Sequence, residues 1–327
     1  MRLLRMRLLR MAVVGGIVGG IAFLGTFAGL GDVCLGEDGL SPRCLVPESR
    51  ITAQERTQIE SAVDQVLKES PAVPTKKTRR LLIYDVNRDY GGHGSIPYAT
   101  LAITQLGEKS GAWETVVSHE PSSFSAESLA TFDAIFMNNN VGNCFRNPEY
   151  RENLRKFVEN GGGLMGVHGT TCAFMNWDRG GDDWPEFGRM IGSRNAIHRE
   201  FDEKAFLRVE DPESPLTQMF PSEGFWYTDE FFRPSDPYSR QRSRILLSID
   251  NEKSNLTREP YGDKQERADG DYAIAWCHSY GKGRVFYCGA GHHPRMFWDP
   301  TMLKFWLAGT QFVLGDLEAP TEPQNVD

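Results

Sequence analysis

The chain has 327 residues, of which 40% are hydrophobic and 24% charged, and its formal net charge is −8. This length allows one large α/β domain or two smaller ones, and the apolar share is typical of a soluble protein with a buried core. The negative charge, and the absence of a basic patch interleaved with aromatic residues, argue against a nucleic-acid-binding surface.

The first thirty residues (1–30) form a segment of their own. Four arginines within MRLLRMRLLR precede an uncharged run from Met11 to Leu30. A positive region before an apolar one is the order found in secretory signal peptides, and Thr26 and Ala28 are small residues suited to cleavage. The run is also about long enough to span a membrane, so an uncleaved anchor is the alternative. Both interpretations predict export of the remaining chain, periplasmic or extracellular, with membrane contact only through an uncleaved anchor.

Residues 31–78 form an N-terminal extension that contains one amphipathic helix. Thr52 and Glu55 predict a capping box at its start, and Pro71 ends it. Strands and helices then alternate. The predicted strands are 81–86, 113–119, 134–139, 164–167, 206–211 and 244–250, with a hairpin over 271–291, and the predicted helices are 95–108, 127–132, 148–160 and 300–314.

Short apolar strands separated by helices indicate a parallel sheet with right-handed crossovers. The pattern predicts a single α/β domain over residues 79–315, built on a doubly wound, mostly parallel sheet with a C-terminal β-hairpin. Residues 316–327 are interpreted as a flexible tail.

In a doubly wound sheet the ligand site lies beyond the carboxyl ends of the strands. Four histidines and two neighbouring acids fall in the loops and irregular segments at that end: His93, His168, His198, His292, Asp229 and Glu230. Convergence of the four histidines on one pocket is therefore expected. The remaining three histidines, His119, His278 and His293, are interpreted as bystanders.

All six cysteines follow the leader, and in an exported chain an even number suggests disulfides, although the sequence leaves fifteen pairings open. The candidate pairs are Cys34 with Cys44, Cys277 with Cys288, and Cys144 with Cys172. Buried free thiols are the alternative for each pair. For the last pair, which follows two strands expected to be neighbours, the prediction is a Cα separation under about 7 Å.

Several motifs follow one another along this domain. They are HGSIP from His93, GGGLMGVH up to His168, WPEFGRMIG from Trp184 with His198 after it, DEFF from Asp229, and GKGRVFY leading to His292. This ordered set resembles the ThuA-like family, which is named for trehalose utilisation. The resemblance covers about residues 79–315 and implies the flavodoxin-like fold of class I glutamine amidotransferases.

Amidotransferases of this fold place a cysteine nucleophile at the sharp turn after the corresponding strand. Here His168 takes that position, and Cys172 lies four residues further along the chain. Glutamine hydrolysis by the usual route is therefore not expected, since the turn carries no thiolate.

An imidazole at this turn could ligate a metal, transfer a proton, or hydrogen-bond a sugar hydroxyl. His93, His168, His198 and His292 are the candidate ligands for zinc or another divalent ion, and a metal-free histidine pocket is the alternative. In the catalytic interpretation His168 is a base or metal ligand together with His93. Asp229 or Glu230 then positions the sugar ring or the metal.

The resemblance implies a small-molecule carbohydrate, trehalose-like or an oxidised keto-sugar, as substrate. The candidate substrate-binding residues are Trp177, Trp184, His198, Tyr227 and His292, and core packing is the alternative for the aromatic ones. The expected chemistry is that of a lyase, isomerase or hydrolase. A non-catalytic carbohydrate-binding protein on the same fold is the competing interpretation.

Overall fold

The computed structural model describes residues 43–88, 90–175, 183–194, 197–254 and 267–324, together with the backbone of residues 33–35. All of them belong to one unit, Asp32–Asp327, so residues 43–78 of the predicted extension are part of the same body as the domain. The predicted leader and Trp177 lie outside the described residues. Within the described ranges, no helix has the length and apolar character needed to cross a membrane.

The elements follow in chain order. The strands are β1 (Val33–Leu35), β2 (Arg43–Leu45), β3 (Arg79–Tyr84), β4 (Asn87–Arg88), β5 (Trp113–Ser118), β6 (Ala134–Asn138), β7 (Val141–Gly142), β8 (Gly163–Val167), β9 (Cys172–Ala173), β10 (Glu203–Val209), β11 (Phe225–Asp229), β12 (Arg244–Ile249), β13 (Ala273–Tyr280) and β14 (Gly283–Cys288). The helices are α1 (Ala53–Glu69), α2 (Ile96–Ser110), α3 (Ala126–Leu129), α4 (Pro148–Glu159), α5 (Pro185–Ile191) and α6 (Pro300–Leu314).

Local sequence signals explain most of these elements. The capping box at the start of α1 is present, with the Glu55 backbone N–H donating to Thr52 Oγ1 at 3.2 Å and the Thr52 N–H donating to Glu55 Oε2 at 2.9 Å. Each predicted strand and helix occurs within about three residues of its expected ends. Strand β11 is not predicted by the sequence, because it lies in a stretch interpreted as irregular.

A nine-stranded sheet forms the centre of the molecule, in the order β11-β10-β12-β13-β14-β8-β6-β3-β5. The five strands from β14 to β5 are parallel, and the other four pairings are antiparallel. The mixed α/β class with a large central sheet is confirmed. A parallel sheet of this kind must be covered on both faces, and two separate hydrophobic clusters lie against it.

One cluster joins α1, α2 and α6 to the sheet through residues such as Val63, Ile103 and Trp306, all fully buried. The other contains residues of α3, α4 and α5, among them Leu154 and Met190. Because helices cover both faces, the polar ends of the parallel strands are left as the place where loops can build a pocket.

The described cysteines correct two of the predicted disulfides. Cys144, Cys172, Cys277 and Cys288 are buried and form no disulfide in the described part of the chain. The Cys144–Cys172 bridge is therefore wrong in this structure, where the Cys144 thiol contacts the carbonyls of Val86 and Gly142 at 3.7 and 3.5 Å. The hairpin register sets Cys277 opposite Phe286 rather than opposite Cys288.

The register of β1 and β2 sets Cys34 opposite Cys44. Alkylation of the denatured, unreduced protein should label these four thiols and leave Cys34 and Cys44 joined by a disulfide. Mass spectrometry of the digested protein detects the labelled peptides and the joined pair. In the folded protein the four thiols should resist labelling. Burial raises the pKa of Cys144, Cys277 and Cys288 to about 12, and it raises the pKa of Cys172 as well. A peptide pair linking Cys144 to Cys172 would contradict this assignment.

Candidate functional site

Loops from four parallel strands meet at one edge of the sheet, after β3, β6, β8 and β14. A chain of hydrogen bonds joins these loops. Asn139 Oδ1 accepts from the Gly169 N–H at 3.0 Å, and Asn139 Nδ2 donates to Ser95 Oγ at 3.3 Å. Ser95 Oγ in turn donates to the Gly291 carbonyl at 2.6 Å. These bonds hold loops that are far apart in sequence in fixed positions. The role of Ser95 in this network is not predicted from the sequence.

His168 directly follows β8, at the sharp turn where an amidotransferase carries its nucleophile. Its φ is +40°, a left-handed conformation that residues other than glycine seldom adopt. The Tyr287 hydroxyl donates to the His168 carbonyl at 2.7 Å and holds this turn. The next residue must be small, because a Cβ at Gly169 would lie 2.7 Å from Cε1 of His93.

Both ring nitrogens of His168 have partners, and the ring is fully buried. Nδ1 lies 3.0 Å from the Gly289 carbonyl oxygen, and Nε2 lies 2.9 Å from Glu230 Oε2. A carbonyl oxygen only accepts, so Nδ1 carries a hydrogen and Nε2 faces the carboxylate. Two lone pairs repel each other at this distance, so the contact between Nε2 and Glu230 requires a proton or a cation.

Glu230 is the centre of the site. Its Oε1 lies 2.9 Å from His198 Nδ1, and its Oε2 lies 3.9 Å from His292 Nε2. Burial raises the pKa of Glu230, but hydrogen bonds from His168 and His198 outweigh burial and hold the pKa well below its usual range. A buried anion thus lies among imidazole rings that replace part of its hydration.

His93 completes what we call the histidine cluster, consisting of His93, His168, His198 and His292 around Glu230. Its ring centroid is 4.8 Å from that of His168 and 5.5 Å from that of His292. Among the described atoms, its buried Nδ1 has no hydrogen-bond partner. Burial, followed by repulsion from His168 and His292, holds the pKa of His93 well below its usual value, so the ring is neutral.

Three members of this group have the spacing of a metal site. Ligand atoms of His93, His168 and Glu230 all lie within 4.8 Å of one another, and all three residues are buried. Two imidazole nitrogens and a carboxylate oxygen are a donor set suited to zinc or a similar divalent ion. Of the four histidines predicted as ligands, His93 and His168 have this spacing and Glu230 adds the carboxylate, whereas His198 and His292 lie beside Glu230 outside the set.

The two neighbouring acids have different surroundings. Asp229 Oδ1 accepts from the backbone N–H groups of Glu230, His292 and His293 at 2.8, 3.1 and 3.3 Å, and Oδ2 accepts from Gly291 at 3.3 Å. Burial raises the pKa of Asp229 to about 6, although these donors favour the anion. Asp229 therefore holds the loop that carries His292, and its part in positioning the sugar ring or the metal stays a prediction.

The two predicted sugar-binding aromatics that the structure describes, Trp184 and Tyr227, are not brought to the cluster. The Trp184 ring packs against Phe174 and Phe187, with centroids 5.1 and 6.0 Å away. Tyr227 packs against the core beside Phe225, and its buried hydroxyl has no hydrogen-bond partner among the described atoms. Core packing, the alternative interpretation, accounts for the contacts of both residues.

Another aromatic ring, which the sequence analysis did not single out, does contact the cluster. Phe232 lies 3.9 Å from His168 between ring centroids, and it stacks on His198 at 5.6 Å with an interplanar angle of 12°. Its N–H donates at 3.0 Å to Gly289, the carbonyl that also orients His168. The motif DEFF therefore supplies the central acid and the ring packed against its histidines.

The three bystander histidines are outside the cluster. His119 Nδ1 pairs with Asp85 at 2.6 Å, and His278 Nε2 contacts the Met190 carbonyl at 2.9 Å. His293 lies beside the cluster, with its ring centroid 5.2 Å from that of His292, and its Nε2 is engaged by the Phe201 carbonyl at 2.6 Å.

A family model described as trehalose utilisation (ThuA) matches residues 80–313. The chain belongs to the ThuA family. Solved structures of ThuA-family relatives agree with this. A ThuA-like protein from Bacteroides uniformis shares 22% identity and a TM-score of 0.56, over 74% of this chain and 94% of that one. A ThuA-like protein from Parabacteroides merdae shares 15% identity with a TM-score of 0.51, over 76% of this chain and 93% of that one. These similarities show that the fold is shared. A comparison with curated proteins found no match.

Replacing Asp229 tests its positioning role. Asp229→Ala leaves several buried N–H groups without an acceptor, so the free energy of unfolding should fall by about 2–4 kcal/mol. Asp229→Asn, whose amide oxygen still accepts, should lose less. Urea denaturation measures both, with Asp202→Asn as an exposed control that should change stability by under about 0.5 kcal/mol. If Asp229→Ala is as stable as the wild type, the loop does not depend on this carboxylate.

Proposed function

We propose that this ThuA-family protein is a carbohydrate-active enzyme whose histidine cluster acts on an oxidised keto-sugar. The observation that carries the proposal is the buried, ionised Glu230 shared by His168 and His198, at the edge where the parallel strands end. The family's description, trehalose utilisation, supports a carbohydrate-related role. Lyase, isomerase or hydrolase chemistry on such a sugar can begin with removal of the proton next to its carbonyl.

The residues present fit a divalent metal ion. The Gly289 carbonyl fixes Nδ1–H of His168 and leaves Nε2 for coordination, which is the usual outer-shell arrangement around a metal-binding histidine. His93 adds a neutral ring with a buried, unpartnered Nδ1, and Glu230 adds an anionic oxygen. These three would hold the ion. A bound divalent ion would act as a Lewis acid toward the sugar carbonyl.

Two other cluster members are open to a substrate. The side chains of His198 and His292 are 25% and 24% exposed, whereas that of His168 is fully buried. Glu230 Oε1 lies 2.9 Å from His198 Nδ1 and orients this partly exposed ring, and an imidazole is the side chain best suited to take a proton near neutral pH. We therefore assign proton removal to His198, oriented by Glu230, and positioning of the sugar hydroxyls to His292.

The same residues argue against glutamine hydrolysis. Cys172 is buried, burial raises its pKa, and it lies beyond the turn that carries His168. We propose that the winding of the sheet is nevertheless amidotransferase-like. The helices on both faces and the left-handed conformation of His168 support this relation.

We also propose that the mature chain is exported. The support is the order of charge and hydrophobicity in residues 1–30, with four arginines ahead of an uncharged run. Fractionation of cells that produce the full chain, followed by N-terminal sequencing, tests export and distinguishes cleavage from anchoring.

Turnover experiments test the proposed chemistry. Incubation with a panel of methyl keto-glucosides in D₂O should exchange the proton next to the carbonyl, measured by NMR, and a chelator should slow the exchange. His198→Ala should reduce the rate about 10²–10⁴-fold, the usual contribution of a general base. His119→Ala, outside the cluster, should leave the rate unchanged. Sugar binding without turnover, unaffected by His168→Ala and by chelator, would identify a carbohydrate-binding protein instead.

A further inference from the structure

Two exposed aromatic side chains flank the histidine cluster. Among the described residues, four large hydrophobic side chains are strongly exposed: Tyr90, Val117, Phe201 and Trp226. Tyr90 has its ring centroid 4.9 Å from that of His93, and Phe201 has its centroid 5.4 Å from that of His292. Scattered exposed apolar residues need no explanation, but two aromatic rings beside one buried polar cluster do.

Phe201 is held in a defined orientation. Its ring is nearly parallel to those of His198 and His292, with interplanar angles of 29° and 26°. These are the two members of the cluster that are themselves partly exposed. The Phe201 carbonyl is engaged by His293 Nε2 at 2.6 Å, which fixes the backbone at this point. The ring is nevertheless 58% exposed, so much of its flat surface stays in contact with water.

We infer that Phe201 and Tyr90 form a stacking platform for a pyranose ring. This inference rests on the proposed function and specifies how the same site recognises its substrate. A pyranose has an apolar face of axial C–H groups and a polar edge of hydroxyl or carbonyl oxygens. The platform covers the C–H face, while the histidine cluster beside it contacts the polar edge. A small anion would satisfy the imidazoles and leave both aromatic rings uncovered, so a sugar fits the whole arrangement better.

The platform differs from the sugar-binding tryptophans predicted from the sequence. Trp184 is half-buried, and its ring packs against Phe174 and Phe187. Trp226 is 50% exposed, but it lies on β11 and contacts Phe206 and Lys204 rather than any histidine. Trp226 is therefore a matched control for an exposed aromatic ring away from the site.

Calorimetric titration of the full-length chain with methyl β-glucoside and with a methyl keto-glucoside tests the platform. Phe201→Ala should raise the Kd for both sugars about tenfold or more, because the apolar contact with the C–H face is lost. Phe201→Trp keeps a flat ring and should stay within about threefold of wild type, and Phe201→Leu, apolar but not flat, should fall between. Trp226→Ala should leave the Kd unchanged. Saturation-transfer NMR should show the strongest signal on the axial protons of one sugar face, and this contrast should disappear in Phe201→Ala.

The outcomes separate the platform from the proposed function. If Phe201→Ala and Phe201→Leu both bind sugar as wild type does, while His292→Ala does not, the platform is wrong and the proposed site stands. If the wild-type protein binds sugar without turnover and Phe201→Ala weakens that binding, the proposed enzymatic function fails and the platform stands. If the wild-type protein binds no sugar, both fail. Near-UV circular dichroism establishes that each variant is folded, and Phe201→Leu supplies the result if Phe201→Ala is not.

Discussion

A carboxylate buried among imidazoles is the constraint on which the rest of this structure depends. Removing an ionised carboxylate from water costs several kcal/mol unless partners replace its hydration. Glu230 obtains those partners from His168 and His198, with His292 close by. Each of these side chains comes from a different part of the chain, so the anion can be accommodated only when the complete domain has folded. Formation of the site is therefore energetically coupled to folding of the domain.

Several groups that touch no substrate maintain this arrangement. The Gly289 carbonyl orients His168 and also accepts from the N–H of Phe232, whose ring packs on that histidine. Asp229 accepts hydrogen bonds from the backbone amides of the loop that carries His292. Asn139 accepts one from the Gly169 N–H, next to His168. Most of these buried contacts involve backbone atoms, so they hold the side chains of the cluster in position and do not take part in the chemistry. The left-handed conformation at His168 is sustained by the same packing.

The sequence was sufficient for the framework and for the convergence of the histidines at one end of the sheet. Apolar strands alternating with capped helices predict the parallel half of the sheet, and the rule that ligands bind at strand carboxyl ends predicts where His93, His168 and His292 lie. It was not sufficient to distinguish Glu230 from Asp229. That choice depends on which side chain at the end of β11 turns toward the imidazoles, and β11 itself was not predicted.

Aromatic and cysteine residues were predicted least well, for a related reason. Trp184 is a predicted sugar-binding residue, yet its ring packs against Phe174, whereas Tyr90 and Phe201 are the strongly exposed aromatic rings that the structure describes beside the cluster. Strand order correctly suggests that the Cys144 and Cys172 segments are neighbours, since β7 and β9 pair. The direction of a single thiol is set by local backbone turns, and no periodicity in the sequence encodes it.

The central claim is that the contact between His168 and Glu230 is completed by a divalent cation in the working protein. Equilibrium dialysis against Zn²⁺, followed by elemental analysis, measures this directly. The account predicts one ion per chain in the wild type. In Glu230→Gln, which keeps the shape but removes the anionic ligand, affinity should fall by more than the about 10- to 100-fold that loss of an outer-shell partner costs. Asp202→Asn, which removes an exposed acid beside the site, should bind as wild type does. Zinc binding that is absent in the wild type, or equal in Glu230→Gln, would contradict the claim and leave a shared proton in the cation's place.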